Sequence, residues 1–319
     1  MPLDLVGLGS AIIDFAPAKT GVPLSEVTHF IPYAGGSVSN ILVAASKLGL
    51  KTGFLGCVGK DEFGTLILKD FEMEGVDISC VKRVEGVATG IAFYNVDEKG
   101  ERHYIFYRFP GYSDPETKLT PDDIEEEYLA QTKIFHFSEA MLRNGQTRKT
   151  VFRILDIAKE NGVVVSYDPN VREALWKDKE EFQSVQKRIL GFTDIFLSTL
   201  KEATLIVDGE TIKETIDNIR SLGPSVIVIR ERKEYYITDQ DQRLAIPIFE
   251  VKAVDTSGAG DVFVAGFLCG ISKKWPVNRA VMLGSAAAAL KVMHVGTRKG
   301  LPTLDEAVSF LRERTKINS

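Results

Sequence analysis

Short apolar runs alternate with longer helical segments over most of the sequence, and this alternation limits the folds that the chain can adopt. Six runs have the length and composition of buried strands: residues 4–9, 52–58, 132–137, 163–168, 194–198 and 225–230. Helical segments separate them near 39–49, 62–74, 144–161, 179–191 and 211–222, and three more follow at 259–272, 277–293 and 304–314. Continuously apolar strands separated by helices are typical of a parallel sheet covered on both faces. We therefore predict an α/β protein.

Two segments interrupt this alternation. Residues 12–33 have an extended pattern, and residues 88–109 have the pattern of a hairpin with a turn at Asp97-Glu98-Lys99-Gly100. A small β-layer outside the main sheet, acting as a lid over a site, would account for both segments. An extra edge hairpin without a role is the alternative. Since the chain has no linker, internal repeat or low-complexity tract, we predict a single domain over residues 1–319 with lid segments near 12–33 and 88–109.

Composition excludes several classes of protein. The 319 residues are 44% hydrophobic and 26% charged, with a net charge of −5 and no stripe of lysine or arginine, so we expect no nucleic-acid partner. Neither the three cysteines nor the four histidines have the spacing of a metal site. Residues 1–15 lack the features of a signal peptide, and no apolar span reaches 18 residues. We therefore expect a cytoplasmic protein without a membrane partner.

The segment Asp255-Thr-Ser-Gly-Ala-Gly-Asp261 carries the strongest functional information. It precedes an apolar helix, and a helix N-terminus attracts anions through its unbonded N–H groups and partial positive charge. Gly258 and Gly260 let the backbone approach such an anion closely. Asp261 could face a substrate hydroxyl while the amides hold a phosphate, although an acid in a first helical turn is also an ordinary cap. The two acids that bracket the segment favour phosphoryl transfer.

Other loops add candidates for an acceptor pocket. Gly35 and Gly36 precede an apolar helix, and Asn40 offers donors and acceptors for hydroxyls, although a simple capped loop would look the same. Asp14 follows an apolar run at the exit of the first strand region, where ligands of open α/β sheets bind. Asp61 is better explained as a helix cap. In Asp168-Pro169-Asn170-Val171-Arg172, the guanidinium of Arg172 suits phosphate oxygens, with a surface ion pair as the alternative.

Taken in order, these motifs resemble those of the ribokinase-like (PfkB) carbohydrate kinases along nearly the full chain. The matching features are Gly35-Gly36 with Asn40, G-x-V-G-x-D-x-F-G at 56–64, D-P-N-x-R at 168–172, Glu202, and D-T-S-G-A-G-D at 255–261. The resemblance implies a Rossmann-like three-layer α/β/α sandwich with a mainly parallel central sheet and a small β-sheet lid. It also implies ATP as the donor, Mg²⁺, and transfer to a primary sugar alcohol, and it leaves a requirement for a monovalent cation such as K⁺ open.

The resemblance assigns roles to individual residues. Asp261 would be the catalytic base, the amides of Gly258, Ala259 and Gly260 would hold the γ-phosphate, and Arg172 would neutralise charge on the transferring group. The expected contacts with the sugar come from Asp14, Gly35, Gly36, Asn40, Tyr107, Arg108 and Asp168. Those with the nucleotide come from Thr199, Arg230, Ser257, Gly258 and Gly260, and Glu202 would position magnesium through water.

The sequence departs from the family pattern in two places. Thr199-Leu200-Lys201-Glu202 keeps the acid of N-x-x-E and replaces the amide. Where the family tends to have T-x-G-x-x-G, residues 230–234 read Arg-Glu-Arg-Lys-Glu, without glycine. These charged residues would either meet the phosphates or form a solvated turn. The missing glycines also motivate a sugar- or nucleotide-binding regulator as a non-enzymatic alternative. A nucleotide-cofactor dehydrogenase is disfavoured because Ile12 breaks the G-x-G-x-x-G spacing.

The acceptor is the open part of the prediction. Phe106-Tyr107-Arg108-Phe109-Pro110-Gly111 and the segment 168–176 resemble the fructokinase and 2-keto-3-deoxygluconate kinase branches. Arg108 and Tyr107 would bind a carboxylate in the second case, whereas Arg108 would meet sugar hydroxyls in the first. We expect fructose, with a sugar acid as the alternative. The aromatic hairpin could also pair with the lid of a second copy to form a homodimer.

Overall fold

The computed structural model describes residues 2–19, 21–96, 102–107, 114–176, 178–239 and 242–315. Within these ranges there are fourteen strands: β1 (Leu5–Leu8), β2 (Ile12–Pro17), β3 (Phe30–Gly35), β4 (Thr52–Gly59), β5 (Val76–Asp77), β6 (Val81–Val84), β7 (Ile91–Val96), β8 (Arg102–Tyr107), β9 (Ile134–Phe137), β10 (Val164–Tyr167), β11 (Ile195–Thr199), β12 (Val226–Glu231), β13 (Glu234–Asp239) and β14 (Gln242–Pro247). The α-helices of the same ranges are α1 (Ser37–Lys47), α2 (Glu62–Met73), α3 (Glu126–Ala130), α4 (Gly145–Glu160), α5 (Lys179–Leu190), α6 (Leu200–Ile206), α7 (Ile212–Ser221), α8 (Ala259–Ser272), α9 (Val277–Lys291) and α10 (Leu304–Thr315).

A ten-stranded sheet runs through the centre of the molecule. Its order is β14-β13-β12-β11-β10-β9-β1-β4-β5, with β6 paired to β4. The pairs from β12 through β4 to β5 and β6 are parallel, and only β13 and β14 add antiparallel pairs at one edge. The prediction of a mainly parallel sheet is confirmed.

Helices cover both faces of this sheet, and two apolar clusters mark the interfaces. Successive residues of a strand point to opposite faces, so in β11 Phe196 joins one cluster while Ile195 and Leu197 join the other. The first cluster includes residues of α1, α8 and α9, and the second includes residues of α4 to α7. The three-layer α/β/α core is therefore present. No helix in the described part of the chain is long and apolar enough to span a membrane.

Helices α8 and α9 pack with their backbones close together. A Cβ atom placed on Gly266 would lie 2.8 Å from the Cα atom of Gly284, so neither position has room for a larger side chain. This close packing fixes the axis of α8, whose N-terminus carries the D-T-S-G-A-G-D segment.

A second, four-stranded sheet has the order β3-β2-β7-β8. β2 pairs antiparallel with β3 and parallel with β7, and β7 and β8 form an antiparallel hairpin. Phe15 of β2 stacks on Phe93 of β7 with ring centroids 4.8 Å apart, and its edge meets the ring of Phe63 in α2 at 5.7 Å. The predicted extended segment and hairpin thus form one small sheet, held against the core by aromatic contacts. The expected turn at 97–100 lies outside the described residues.

Several features differ from the expectations, and three of them concern the sheets and the site. The segment from β13 to β14 forms two strands that extend the central sheet and were not predicted, although β13 contains Tyr235, Ile237 and Thr238, which favour strands. Helix α6 follows β11 directly, where no helix was predicted. Asp14 was expected at the exit of the first central strand, but that strand ends at Leu8 and Asp14 lies inside β2 of the small sheet.

Candidate active site

Asp261 lies in the first turn of α8, behind a left-handed glycine. Gly258 caps the helix with φ of 71°, a conformation that non-glycine residues adopt only at an energetic cost. A Cβ atom on Gly258 would also lie 3.0 Å from the carbonyl oxygen of Thr297. The amide of Ala259 donates to the carbonyl of Thr256 at 3.2 Å, so binding an anion would require this amide to give up that bond. The backbone of Gly258 and Gly260 thus gives the more accessible part of the predicted phosphate cradle.

The Asp261 carboxylate is held by two donors from α1. The hydroxyl of Ser37 donates to Oδ1 at 2.7 Å, and the side-chain amide of Asn40 donates to Oδ2 at 2.9 Å. Burial raises the pKa of Asp261 above its ordinary value of 3.8, while these two bonds and the charges of Arg172 and Arg298 act in the opposite direction. The arrangement keeps a fixed carboxylate at the edge of a cleft.

Asp14 and Gly36 line one side of this cleft, and Gly35 packs against Asp14. The carboxylate of Asp14 lies against the backbone of Gly35, where an added Cβ atom would be 2.2 Å from Asp14 Oδ2. Gly36 has φ of 101°, and a Cβ atom there would be 2.1 Å from the carbonyl oxygen of Ser10. Both glycines are therefore required by close approach. The cleft is lined by Asp14, Gly36, Asn40, Arg172, Gly258 and Asp261, among others, so the structure brings these predicted residues together.

Two further acids lie on the other side of Asp261. Asp168 follows β10, and burial together with the nearby carboxylates of Glu202 and Asp261 raises its pKa well above the ordinary range. Glu202 has a structural function as well, because it forms a capping box with Thr199 at the start of α6 and accepts from the amide of Val171 at 3.0 Å. Asp168, Thr199, Glu202 and Asp261 share the lining of one pocket.

This acidic arrangement does not form a complete metal cage by itself. Within the described ranges, no three His, Cys, Asp or Glu side chains are placed to hold a metal ion. Mutual repulsion between carboxylates nonetheless favours a nearby cation. Mg²⁺ usually keeps several waters and takes one or two carboxylates together with substrate phosphates, and the acids present fit that mode of binding.

Cationic side chains face the same cleft. Arg172 and Arg230 are exposed and both line it. Arg230 belongs to β12, and the tight turn that follows, with Arg232 at φ of 52°, leads into β13. Arg143 also lines the cleft, although two of its nitrogens bond the fully buried carboxylate of Glu139. Sequence reasoning missed Arg143 because nothing in its sequence surroundings distinguishes it from a surface arginine.

Asp255 anchors the loop that leads to Asp261. Its carboxylate accepts from the amide of Ser257 at 2.9 Å and from the amide of Gly296 at 2.7 Å, and it also accepts from the Ser257 hydroxyl. Ser257 is thereby engaged within the loop, and it also lines the cleft. Beneath the loop, the fully buried amine of Lys291 donates to the carbonyl of Asp255 at 3.1 Å. The first acid of D-T-S-G-A-G-D thus shapes the turn.

Two predicted contacts with the sugar cannot be compared with the structure. Tyr107 is the last residue of β8, and only its backbone is described. Arg108 lies outside the described residues. Asp61, by contrast, is the N-cap of α2, where its side chain accepts from the amide of Gly64 at 2.7 Å, so its interpretation as a cap is confirmed.

Ser37 and Arg298 contribute to the site and were not predicted. Ser37 is visible in the sequence as part of G-G-S-V-S-N, but its neighbour Ser39 has the same chemistry. Arg298 follows α9 and reaches back to α1, where its Nε donates to Asn40 Oδ1 at 2.9 Å. No local sequence signal identifies a contact between residues so far apart in the chain.

Comparisons with known proteins show the family to which the chain belongs. The model of the "pfkB family carbohydrate kinase" family matches residues 3–304. A 5-dehydro-2-deoxygluconokinase of Clostridium botulinum is 32% identical over 98% of this chain and 93% of the relative, and a probable fructokinase-3 of Arabidopsis thaliana is 31% identical over 98% and 92%. The fructokinase of Vibrio cholerae O395, in a form with fructose, ADP and a calcium ion bound, superposes with a TM-score of 0.86 at 26% identity and covers 97% of this chain and 99% of its own. With kinases as its relatives, the chain is an enzyme, and the alternatives of a non-enzymatic regulator and a dehydrogenase are not supported. It belongs to the pfkB family of carbohydrate kinases.

Proposed function

We propose that this kinase transfers the γ-phosphate of ATP to a primary hydroxyl of a small sugar, with Asp261 as the catalytic base. The observation that carries the proposal is the position of Asp261. Its carboxylate shares one cleft with Asp14 and Asn40 on the sugar side and with Gly258 and Gly260 on the phosphate side. The ADP in the Vibrio cholerae fructokinase structure supports an adenine nucleotide as the donor.

Asp261 orients the attacking hydroxyl and accepts its proton late in the reaction. A sugar alcohol is far too weak an acid for a carboxylate to deprotonate before transfer begins. The hydrogen bonds from Ser37 and Asn40 fix the direction of the carboxylate, which is what positioning requires. Burial raises its pKa and therefore makes the carboxylate a somewhat stronger base.

Charge on the transferring phosphoryl group is neutralised by groups on the opposite side of the cleft. The helix N-terminus at Gly258 and Gly260 supplies backbone amides, and Arg172 and Arg230 supply exposed guanidinium groups. Asp168 and Glu202 are the side chains that would hold Mg²⁺ through water, and the bound ion would neutralise phosphate charge. Arg230 lies where the family tends to have T-x-G-x-x-G, and we propose that it contacts the nucleotide phosphates.

We propose that the small sheet acts as a lid within a single domain. Tyr104 and Phe106 of β8 line the cleft, so the hairpin lies over the acceptor side and would exclude water, the competing acceptor. Ile31 of β3 and Ile105 of β8 are 45% and 48% exposed on the same sheet. These apolar side chains support a homodimer through the lid, which light scattering would test: a monomeric mass at micromolar concentration would exclude it.

Two acceptor classes remain candidates. Fructose is supported by the fructokinase relatives. A sugar acid is supported by the relative named 5-dehydro-2-deoxygluconokinase and by a specific feature of the cleft, since Arg143 lines it in addition to Arg172 and a further positive charge there would attract a carboxylate. We propose that a sugar acid of the deoxygluconate class is the better substrate.

A coupled assay of ADP formation tests both the proposed reaction and the proposed acceptor. Fructose, 2-keto-3-deoxygluconate, 5-dehydro-2-deoxygluconate and ribose are compared at equal concentrations of ATP and Mg²⁺. No turnover with any of them would contradict the proposed reaction. A higher kcat/KM for fructose than for either acid would contradict the choice of acceptor. If the sugar acid is the better substrate, Arg143→Met should reduce kcat/KM for the acid more than kcat/KM for fructose.

A further inference from the structure

Arg298 reaches the active site from the opposite end of the chain. It lies in the segment after α9, yet its guanidinium is inserted between α1 and α2 and is only 15% exposed. A nearly buried guanidinium requires partners for its donors. Arg298 has three: Nε donates to Asn40 Oδ1 at 2.9 Å, Nη2 donates to Ser39 Oγ at 2.7 Å, and Nη1 donates to Asp70 Oδ2.

The contact with Asn40 determines which way its amide points. The oxygen and the nitrogen of an asparagine amide occupy almost the same space and differ mainly in hydrogen bonding. Here the oxygen accepts from Arg298, and the nitrogen donates to Asp261 Oδ2 at 2.9 Å. If the amide were reversed, its NH₂ group would face the guanidinium and its oxygen would face the carboxylate. Both contacts would then be repulsive.

We propose that Arg298 is a positioning residue of the kinase reaction, which fixes Asn40 so that the asparagine amide holds the Asp261 carboxylate toward the acceptor hydroxyl. The side chains form a continuous series of hydrogen bonds, from Asp70 through Arg298 and Asn40 to Asp261. Asp70 compensates the charge of the guanidinium, and Ser39 fixes its plane. This inference rests on the proposed role of Asp261 and adds a residue outside the cleft on which that role depends.

Other assignments for Arg298 account for less of the geometry. A purely structural Arg298 would also need partners for its donors, but these would not have to include Asn40, whose amide nitrogen bonds Asp261. An ion pair with Asp70 alone would stabilise the junction between the last segment and α2 without involving Asn40. The bond from Nε to Asn40 is the contact that links Arg298 to catalysis, so the decisive experiment isolates it.

A double-mutant cycle provides that experiment. Removing Arg298 (Arg298→Met), which keeps the aliphatic length, should lower kcat about 10- to 100-fold, the effect typical of outer residues that orient a reacting group. KM for ATP should change little, because the nucleotide side of the cleft is untouched. If Arg298 acts through Asn40, then Asn40→Ala with Arg298→Met should be about as slow as Asn40→Ala alone, since coupled residues are not additive. Multiplicative losses in kcat would overturn the proposal.

Controls separate positioning from stability and from the proposed function. Lys299→Met removes the adjacent exposed positive charge and should leave kcat unchanged. If Arg298→Met fails to fold, Arg298→Lys retains the charge beside Asp70 and should still lose kcat, because an ammonium cannot reproduce the three-way donor geometry. An Arg298→Lys variant with wild-type kcat would also overturn the proposal.

A crystal structure of the Arg298 variant gives a readout that does not require turnover. We expect the Asn40 amide to move away from Asp261 or to adopt more than one orientation. An unchanged bond between Asn40 Nδ2 and Asp261 would contradict the inference, even if the wild-type enzyme phosphorylated none of the sugars tested. Absence of turnover in the wild type would instead contradict the proposed reaction.

Discussion

Replacing His136 with glutamine should make the stability of the fold less sensitive to acid. His136 lies in β9 and is fully buried, with its Nδ1 3.0 Å from the hydroxyl of Ser166. Burial lowers the pKa of His136 from 6.5 to about 3. Between these two values the unfolded chain binds a proton that the folded chain does not, so the free energy of unfolding falls as the pH falls.

The expected magnitude follows from the pKa shift. For an imidazole with these two pKa values, the free energy of unfolding should fall by about 2 kcal/mol as the pH is lowered from about 7.5 to about 5. The contribution is absent above pH 6.5, the ordinary value for histidine, and is complete near pH 3, the value in the folded state. His136→Gln removes the titrating group, so the wild-type protein should lose about 2 kcal/mol more than the variant over that range.

Urea unfolding at the two pH values measures this difference. The comparison uses the change with pH in each protein, so any constant destabilisation by glutamine cancels. His29→Gln, at an exposed histidine, is the matched control and should keep the wild-type pH dependence. Equal losses of unfolding free energy in wild type and His136→Gln would refute the reasoning, because His136 would then not remain neutral in the folded state.

Three further predictions concern the site and the core. Asp261→Asn should lower kcat by about 100- to 10,000-fold, as expected for loss of a general base; because burial raises the pKa of Asp261, the fall of wild-type kcat/KM in acid should have its midpoint above pH 3.8. Gly35→Ala should raise KM for the sugar more than KM for ATP, because the added Cβ would lie 2.2 Å from Asp14 Oδ2 and must displace that carboxylate. Gly266→Ala should lower the free energy of unfolding by about 1 to 3 kcal/mol through overpacking of α8 on α9, whereas Gly145→Ala, where the space is open, should not.

Each of these predictions can fail on its own measurement. Near wild-type turnover of Asp261→Asn with every accepted sugar would exclude a catalytic base at this position. An unchanged KM for the sugar in Gly35→Ala would show that Asp14 does not contact it. A midpoint of urea unfolding in Gly266→Ala equal to that of wild type would show that the two helices can separate without cost.

Most of the fold could be predicted because the patterns that mark its strands and helices lie within short stretches of sequence. Buried parallel strands are continuously apolar, and helices such as α8 and α2 begin at glycine or aspartate caps that can be read in a few residues. β13 and β14 were not predicted, although β13 contains Tyr235, Ile237 and Thr238, which are residue types enriched in strands. Their antiparallel pairing at the edge of the sheet depends on β12, a contact that their own sequence does not specify.

The candidate site, too, could be predicted from the sequence only in part. Asp261 and the glycines could be identified because a helix start and a close backbone approach require particular residue types. The orientation of the Asp261 carboxylate could not, since it depends on hydrogen bonds from Ser37 and Asn40, which form only after the chain has folded. Glu202 illustrates a second limit: its spacing from Thr199 predicts a capping box as readily as a metal-binding acid, and the structure contains the capping box.

The hydrogen bonds around Asp261 have a consequence for the synthesis of the enzyme. Ser37 and Asp261 are 224 residues apart, and Asn40 and Arg298 are 258 residues apart. A ribosome-bound chain that ends before α8 therefore lacks this set of contacts, because neither Asp261 nor Arg298 has been synthesised. A truncated product without α8 and α9 would also leave one face of the central sheet uncovered, so it could not phosphorylate a sugar through this site.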